Sequence, residues 1–395
     1  MDAAHALINW APLLRLLGLA AVIALVPLAW WWLRQRGAPL PRKLAALTAL
    51  ILFLTLDLIV VGSFTRLTDS GLGCPDWPGC YGALSPVGAH AQISAAEAAQ
   101  PTGPVTVTKA WIEMLHRYLA MAVGALILVA AAMAWRARAQ LPHSPWWATV
   151  TLVWVLLQGA FGKYTVTLKL YPAVVTLHLL GAMVLLALLV LQHESFRARP
   201  MRLPQLRHAP RWVALVLAAV VLQIALGGWV STNYAVLACQ GFPACNGQWW
   251  PAMDMRQGFT ILRQLGQTAQ GEALSLNALV AIHMVHRLFA VVVVLALGAL
   301  VLALRRSGDA SARRHALLLT GLLLWQLASG LSNVVLGWPI VAALAHSAGA
   351  AGLVAVLTAL WARLHAGRAL PAPLTAGRRR PESTGATDLR QPSAS

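Results

Sequence analysis

Apolar residues in this chain arrive in long blocks, separated by short basic stretches and by two longer polar ones. Nine blocks are long enough to cross a hydrocarbon core about 30 Å thick, which takes about 20 helical residues each. They cover 8–33, 43–63, 111–135, 146–166, 172–192, 211–231, 277–303, 315–337 and 339–364. Each reads as a membrane-spanning helix. The first has the look of a signal peptide, but its apolar run is long. It ends in Arg34, Arg36, Arg42 and Lys43 with no small-residue cleavage site, so it counts as a span.

The blocks repeat. Gly62, Cys74 and Cys80 recur 165 residues later as Gly227, Cys239 and Cys245. His116-Arg117 recurs after 170 residues as His286-Arg287, and His178, behind Tyr171-Pro172, recurs after 168 as His346, behind Trp338-Pro339. Three landmarks in one order at nearly one offset predict an internal duplication. Both copies start on the same side, so they are parallel repeats about an axis along the membrane normal. The expected fold is therefore all-α and polytopic: two pseudo-symmetric four-helix transmembrane bundles plus one extra N-terminal transmembrane helix. In domain terms, 1–42 is that helix with a basic linker, 43–192 the first half, 193–210 a second basic linker and 211–365 the second half. Residues 366–395, rich in Pro, Ser, Thr and Arg, read as a disordered tail.

Composition sharpens this picture. Hydrophobic residues make up 59% and charged residues 11% of the 395, and the mean hydropathy is +0.67. Soluble domains carry about a quarter charged residues. A net charge of +18 ordinarily suggests nucleic acid, but here the basic residues sit between apolar spans. The bilayer is the partner, and nucleic acid is excluded. Loops at 34–43, 136–138, 197–211 and 305–314, with the tail from Arg363, hold 21 of the 30 Lys and Arg residues. The opposite loops hold Arg66, Lys109, Lys163, Lys169, Arg256 and Arg263. Positive charge stays inside, so the C-terminus is expected in the cytoplasm and loops 64–110 and 232–276 outside a bacterial cytoplasmic (inner) membrane. All four cysteines lie in those outer loops, as CPDWPGC and CQGFPAC. Outside the cytoplasm thiols oxidise, which favours two local disulfides, Cys74–Cys80 and Cys239–Cys245, over free thiols or a metal site of closer spacing.

Ionisable residues inside spans are costly and mark function. Asp57, Glu113, His116, Arg117, His178, His283, His286, Arg287 and His346 are of this kind. The other histidines lie in loops or near span ends. His116, His178, His286 and His346 fall roughly 8–13 Å below the outer surface at 1.5 Å per residue. They sit on the second and fourth helices of each half, an arrangement suited to axial ligation of a haem between helices. A lone membrane histidine more often bonds a neighbouring helix; four at matched depth in two repeat-related pairs point to cofactor ligation. A proton path or a transporter site is the competing use. The repeat aligns Glu113 with His283, so one half has a carboxylate where the other has a third imidazole. Arg117 and Arg287 are candidate propionate partners, or equally partners of Glu113 and backbone near the interface. Asp57 takes no role. The tryptophans at span ends form an aromatic belt.

The stretch GSFTRLTDSGLGCPDWPGC (62–80), the segment EMLHR (113–117) and the later histidine pair resemble the haem A synthase family over residues 43–365. The resemblance implies an eight-helix core whose N-terminal half takes haem O and whose C-terminal half holds haem b. It implies oxidation of a porphyrin methyl group to a formyl group by successive hydroxylations, supplying haem A for terminal oxidase assembly. On this chain His286 and His346 are then the haem b ligands, His116 and His178 hold the substrate haem, Glu113 assists the oxidation, and Cys74 and Cys80 form a disulfide. Haem O synthase and terminal oxidase assembly proteins are the implied protein partners. The ninth span departs from the family pattern, and so does His283, which the repeat disfavours as ligand relative to His286. A bis-histidine cytochrome b passing electrons to quinone, and a haem or proton transporter, are the alternatives.

Overall fold

The computed structural model describes residues 11–141, 143–197 and 199–369. Residues 1–10 and most of the expected tail, 370–395, lie outside them. The described chain is helical, with three isolated β-bridges. Its long helices are α1 (Ala11–Arg34), α2 (Leu40–Leu67), α4 (Val107–Arg136), α5 (Trp146–Thr167), α6 (Pro172–Arg197), α7 (Ala209–Thr232), α9 (Leu276–Arg306), α10 (Ala310–Val335) and α11 (Ile340–Ala369). These nine match the nine apolar blocks, and most extend a few residues beyond them. Two further helices, α3 (His90–Ala99) and α8 (Met255–Gly258), lie in the two long polar loops.

Eight of the nine are long and apolar enough to cross a membrane. The exception is α5, which carries Thr149, Thr151, Gln158, Lys163, Thr165 and Thr167. At 22 residues it still spans about 33 Å. Its buried polar groups turn inward: Thr151 Oγ1 accepts from Gln192 Nε2 at 2.6 Å. Trp154 Nε1 donates to the Gly181 carbonyl at 2.8 Å. Polar groups paired within the protein carry no cost to lipid.

The termini follow local chemistry. Thr106 and Ser275 cap α4 and α9, each side chain accepting from the amide three residues on. Prolines stand in the first turn of α2 and α7, where their missing N–H costs nothing. The turns before α6 and α11 also correspond. Lys169-Leu170 and Gly337-Trp338 adopt positive φ at an offset of 168. The prolines of the Tyr-Pro and Trp-Pro landmarks are one residue out of that register, whereas the histidines keep it: His178 and His346 are each the seventh residue of their helix.

Each half is a closed ring. α2 packs on α4, α4 on α5, α5 on α6 and α6 back on α2; α7, α9, α10 and α11 make the same circuit. The halves meet where α6 packs on α11, with α2 on α11 and α6 on α7 as equivalent flanking contacts. The apolar core there joins Ile59, Met183 and Leu186 to Val213, Val220, Leu353 and Leu357. At one end Glu194 on α6 takes a bidentate bond from Arg363 on α11, at 2.7 and 2.9 Å. At the other, repeat-mates touch across the axis: Arg66 donates to the Ser231 carbonyl, and Tyr234 Oη donates to Asp69 Oδ1 at 2.5 Å. The extra helix α1 packs along α4. Its C-terminal end is pinned by Trp31 Nε1 donating to the Lys43 carbonyl at 3.0 Å, with the Lys43 ammonium over Trp32 at 4.4 Å.

Candidate functional site

One continuous cavity of about 1740 Å³ runs through both halves. It exceeds the roughly 300–1,000 Å³ that a small-ligand pocket occupies. His116, His178, His286 and His346 all line it, together with Glu113, His283, Arg117 and Arg287. Residues Leu17, Ala20, Ala21, Ala24, Leu25 and Leu28, one face of α1 by their spacing, form part of its wall. The four expected ligands therefore share one space, and the extra helix borders it.

Each of the four imidazoles meets a glycine on the neighbouring helix. A Cβ added at Gly62 on α2 would lie 2.9 Å from His116 Cε1, and one at Gly227 on α7 would lie 2.9 Å from His286 Cε1. Gly162 on α5 and Gly330 on α10 stand likewise toward His178 and His346, at 3.6 and 3.1 Å. The Gly62 and Gly227 contacts leave no room for a methyl group. The glycines let helix backbones approach and hold the rings edge-on, with their remaining surface on the cavity. The sequence landmarks Gly62 and Gly227 thus gain a function. Gly162 and Gly330 were missed, although their offset of 168 could have found them. Gln223 and Ser329, which approach the rings of His286 and His346, were missed as well.

The two cysteine-bearing loops close over this region by matching bonds. Cys74–Cys80 and Cys239–Cys245 are disulfides. Arg117 donates to the carbonyls of Cys74, Asp76 and Gly79, at 3.4, 2.9 and 2.6 Å. Arg287 donates to those of Cys239, Gly241 and Ala244, at 2.7, 3.0 and 3.4 Å. These three acceptors are repeat-mates in each half, and Arg117 also reaches the Pro78 carbonyl at 3.4 Å. The arginines are thus anchored by backbone and, for Arg117, by Glu113, the contacts weighed above against a propionate role.

Glu113 is buried, and both carboxylate oxygens are engaged. Oε1 accepts from Arg117 Nη2 at 2.5 Å and Oε2 from the Cys74 amide at 2.7 Å. In the second half His283 takes this place, and Arg287 Nε donates to its Nε2 at 3.3 Å. The carboxylate ties the first disulfide loop to the helix that carries His116, three residues on. His283 is buried on the face of Arg287, whereas His286 faces Gly227 as His116 faces Gly62.

The donor set fits a metal inside a macrocycle. Among the described residues no group of three or more His, Cys, Asp or Glu side chains is placed to hold a bare ion. Two imidazoles per half are the donors that would hold a haem iron.

Comparison with known proteins identifies the family. The family model described as COX15-CtaA, cytochrome oxidase assembly protein, matches residues 45–358. A heme A synthase of Shewanella oneidensis is 36% identical over 323 residues, covering 80% of this chain and 96% of the relative. One of Rhizorhabdus wittichii is 30% identical over 347 residues, covering 82% and 94%. The chain belongs to the haem A synthase (COX15-CtaA) family. The family match begins within α2 and takes in α4 to α10 and most of α11, so α1 lies outside it. Both CX₅C loops and all four cavity histidines fall inside it.

Both disulfides are expected in the isolated protein. Each closes a small ring, for which chain entropy gives about 2–3 kcal/mol. Alkylation of fresh membranes without reduction, followed by peptide mass mapping, should leave all four cysteines unlabelled. Full labelling would break the assignment.

Proposed function

We propose that this protein oxidises a methyl substituent of haem O to the formyl group of haem A, with haem b as its resident cofactor. The observation that carries the reading is the duplicated histidine pair, each ring seated on a repeat-related glycine and all four facing one cavity, in a chain of this family. His116 and His178 hold the substrate haem in the first half. His286 and His346 hold haem b in the second, where that group supplies electron transfer. Division into halves at 43–192 and 211–365 gives each haem its own four-helix ring.

The chain's residues orient and shield. The glycine contacts fix the ring planes, and the loops held by Arg117 and Arg287 cover the outer ends of both chambers. Glu113 stands three residues from His116 and lines the same cavity. Held by Arg117, it can stabilise positive charge that develops as the methyl carbon loses electrons, or take the proton that leaves. Written with water as the oxygen source, each hydroxylation adds one oxygen and passes two electrons and two protons from the methyl group and water to an external oxidant, and loss of water from the second product gives the aldehyde. The two disulfide loops face the outside and the basic loops the cytoplasm, following the charge bias. Partners at this site are haem O, the enzyme class that makes it and the oxidase assembly that consumes haem A.

The test is extraction of porphyrins from membranes containing the protein and a supply of haem O, with mass analysis. Formation of haem A, or of its hydroxylated precursor, is the expected result. Bound but unaltered porphyrin would instead indicate a cytochrome, and passage of haem across vesicles without oxidation a transporter.

A further inference from the structure

The halves differ in what stands behind their histidines. His346 Nδ1 lies 3.1 Å from Ser329 Oγ, and that hydroxyl also lies 2.7 Å from the Trp325 carbonyl, to which it donates. With its hydrogen committed to a carbonyl, Ser329 accepts from the ring. Nδ1 then carries the imidazole proton, and Nε2 keeps a free lone pair directed away from it. That is the tautomer an iron ligand needs.

Gln223 takes the matching place against His286. Its Nε2 lies 3.1 Å from Nδ1 and 3.4 Å from Nε2 of the ring, and it donates to the His286 carbonyl at 3.1 Å. The other amide atom, Oε1, is buried without a partner. A half-turn of the amide would bring that acceptor to an Nδ1 proton but would give up the bond to the His286 carbonyl, so Gln223 pins the residue in the orientation seen and supports an Nδ1 proton only in the turned one.

The first half has neither group. At the repeat offsets, Leu58 stands for Gln223 and Phe161 for Ser329. The Nδ1 atoms of His116 and His178 are both buried with no hydrogen-bond partner. The glycine contacts are duplicated, but the polar support behind the rings is not.

We infer that Gln223 and Ser329 are positioning residues that make the second-half pair a permanent haem site, and that Leu58 and Phe161 leave the first-half pair exchangeable. The inference rests on the assignment of cofactor and substrate to the two halves given above. A resident cofactor stays through many turnovers, whereas substrate must enter and product leave in each. A hydrogen-bonded Nδ1 orients the imidazole and makes Nε2 more basic, and removing such a partner weakens metal binding by about 10- to 100-fold. One fold thus holds two haems with different tenacity while keeping the same ligand type in both.

The experiment uses the purified full chain as it carries haem, with apomyoglobin as the haem acceptor. Ser329→Ala and Gln223→Leu are each expected to speed haem loss from the second half by about 10- to 100-fold. Each should also shift the reduction potential of the haem that remains, which a purely structural change would not do. Ser329→Thr, which keeps the hydroxyl, should restore both properties. The double change Leu58→Gln with Phe161→Ser should slow haem loss from the first half. Unchanged loss rate and potential in both Ser329→Ala and Gln223→Leu would overturn the inference. A wild-type protein with no low-spin haem in its second half would instead refute the cofactor assignment itself, and the inference with it.

Discussion

His286→Ala and His346→Ala are each expected to abolish the low-spin haem b signal in the reduced spectrum of the purified protein. Low-spin haem of this kind needs an imidazole on both faces of the iron. Removing one leaves five-coordinate, high-spin haem or none. The change also opens space where each ring packed on Gly227 or Gly330. His116→Ala and His178→Ala should leave the signal in place, because they alter only the other chamber, and should abolish haem A formation. The pattern is checked by difference spectroscopy alongside porphyrin mass analysis. If His286→Ala keeps an unaltered low-spin spectrum, the ligand on α9 is His283, three residues away on a neighbouring part of the same face.

Glu113→Gln should give a folded protein that retains haem b and makes little haem A. A positioned acid or base contributes roughly 10²–10⁴-fold to rate, which sets the expected loss. The geometry supplies a second consequence. Glu113 is the counter-ion of buried Arg117 and the acceptor for the Cys74 amide, so the same substitution loosens the first disulfide loop. Breaking a buried pair from one side costs about 3–5 kcal/mol. Arg117→Lys separates the two roles: it keeps the cation but loses the fork that reaches four loop carbonyls. Loss of haem A in Glu113→Gln with activity retained in Arg117→Lys assigns the effect to the carboxylate. Normal haem A from Glu113→Gln would remove Glu113 from the chemistry.

Much of this was legible in the sequence, for identifiable reasons. Nine apolar blocks gave nine long helices because lipid leaves the backbone no alternative. The matched positions of the histidines along their helices were readable because helical rise is constant, and the duplication showed because three landmarks kept nearly one offset. α3 was not expected, although His90–Ala99 is rich in strong helix formers, because its ten residues lie in a polar loop where apolar periodicity says nothing. The anchoring of Arg117 and Arg287 depends on which way loop carbonyls point, and no residue pattern encodes that. Ser329 and Gln223 are invisible for a related reason. A hydroxyl or an amide on an apolar helix is common, and only the facing helix shows that it reaches a ring nitrogen. The position of α1 against the cavity wall was equally closed to sequence, since it lies outside the repeat that ordered everything else.

The contacts on the pseudo-axis bear on how such a chain arose. In a two-fold homodimer a residue on the axis meets its own copy, while off the axis residue i meets j and j meets i. Here Asp69 meets Tyr234 and Arg66 meets Ser231, each separated from its partner by the repeat offset of 165 residues. Two aspartates or two arginines in those places would face each other with like charge. The donor–acceptor pairs now joining the halves could not exist in an assembly of identical subunits. They became available only once both copies were encoded in one polypeptide and one partner of each pair could change alone. Covalent linkage thus gave the protein a seam that symmetric self-association could not have made, and with it the freedom for the two chambers to grow unalike.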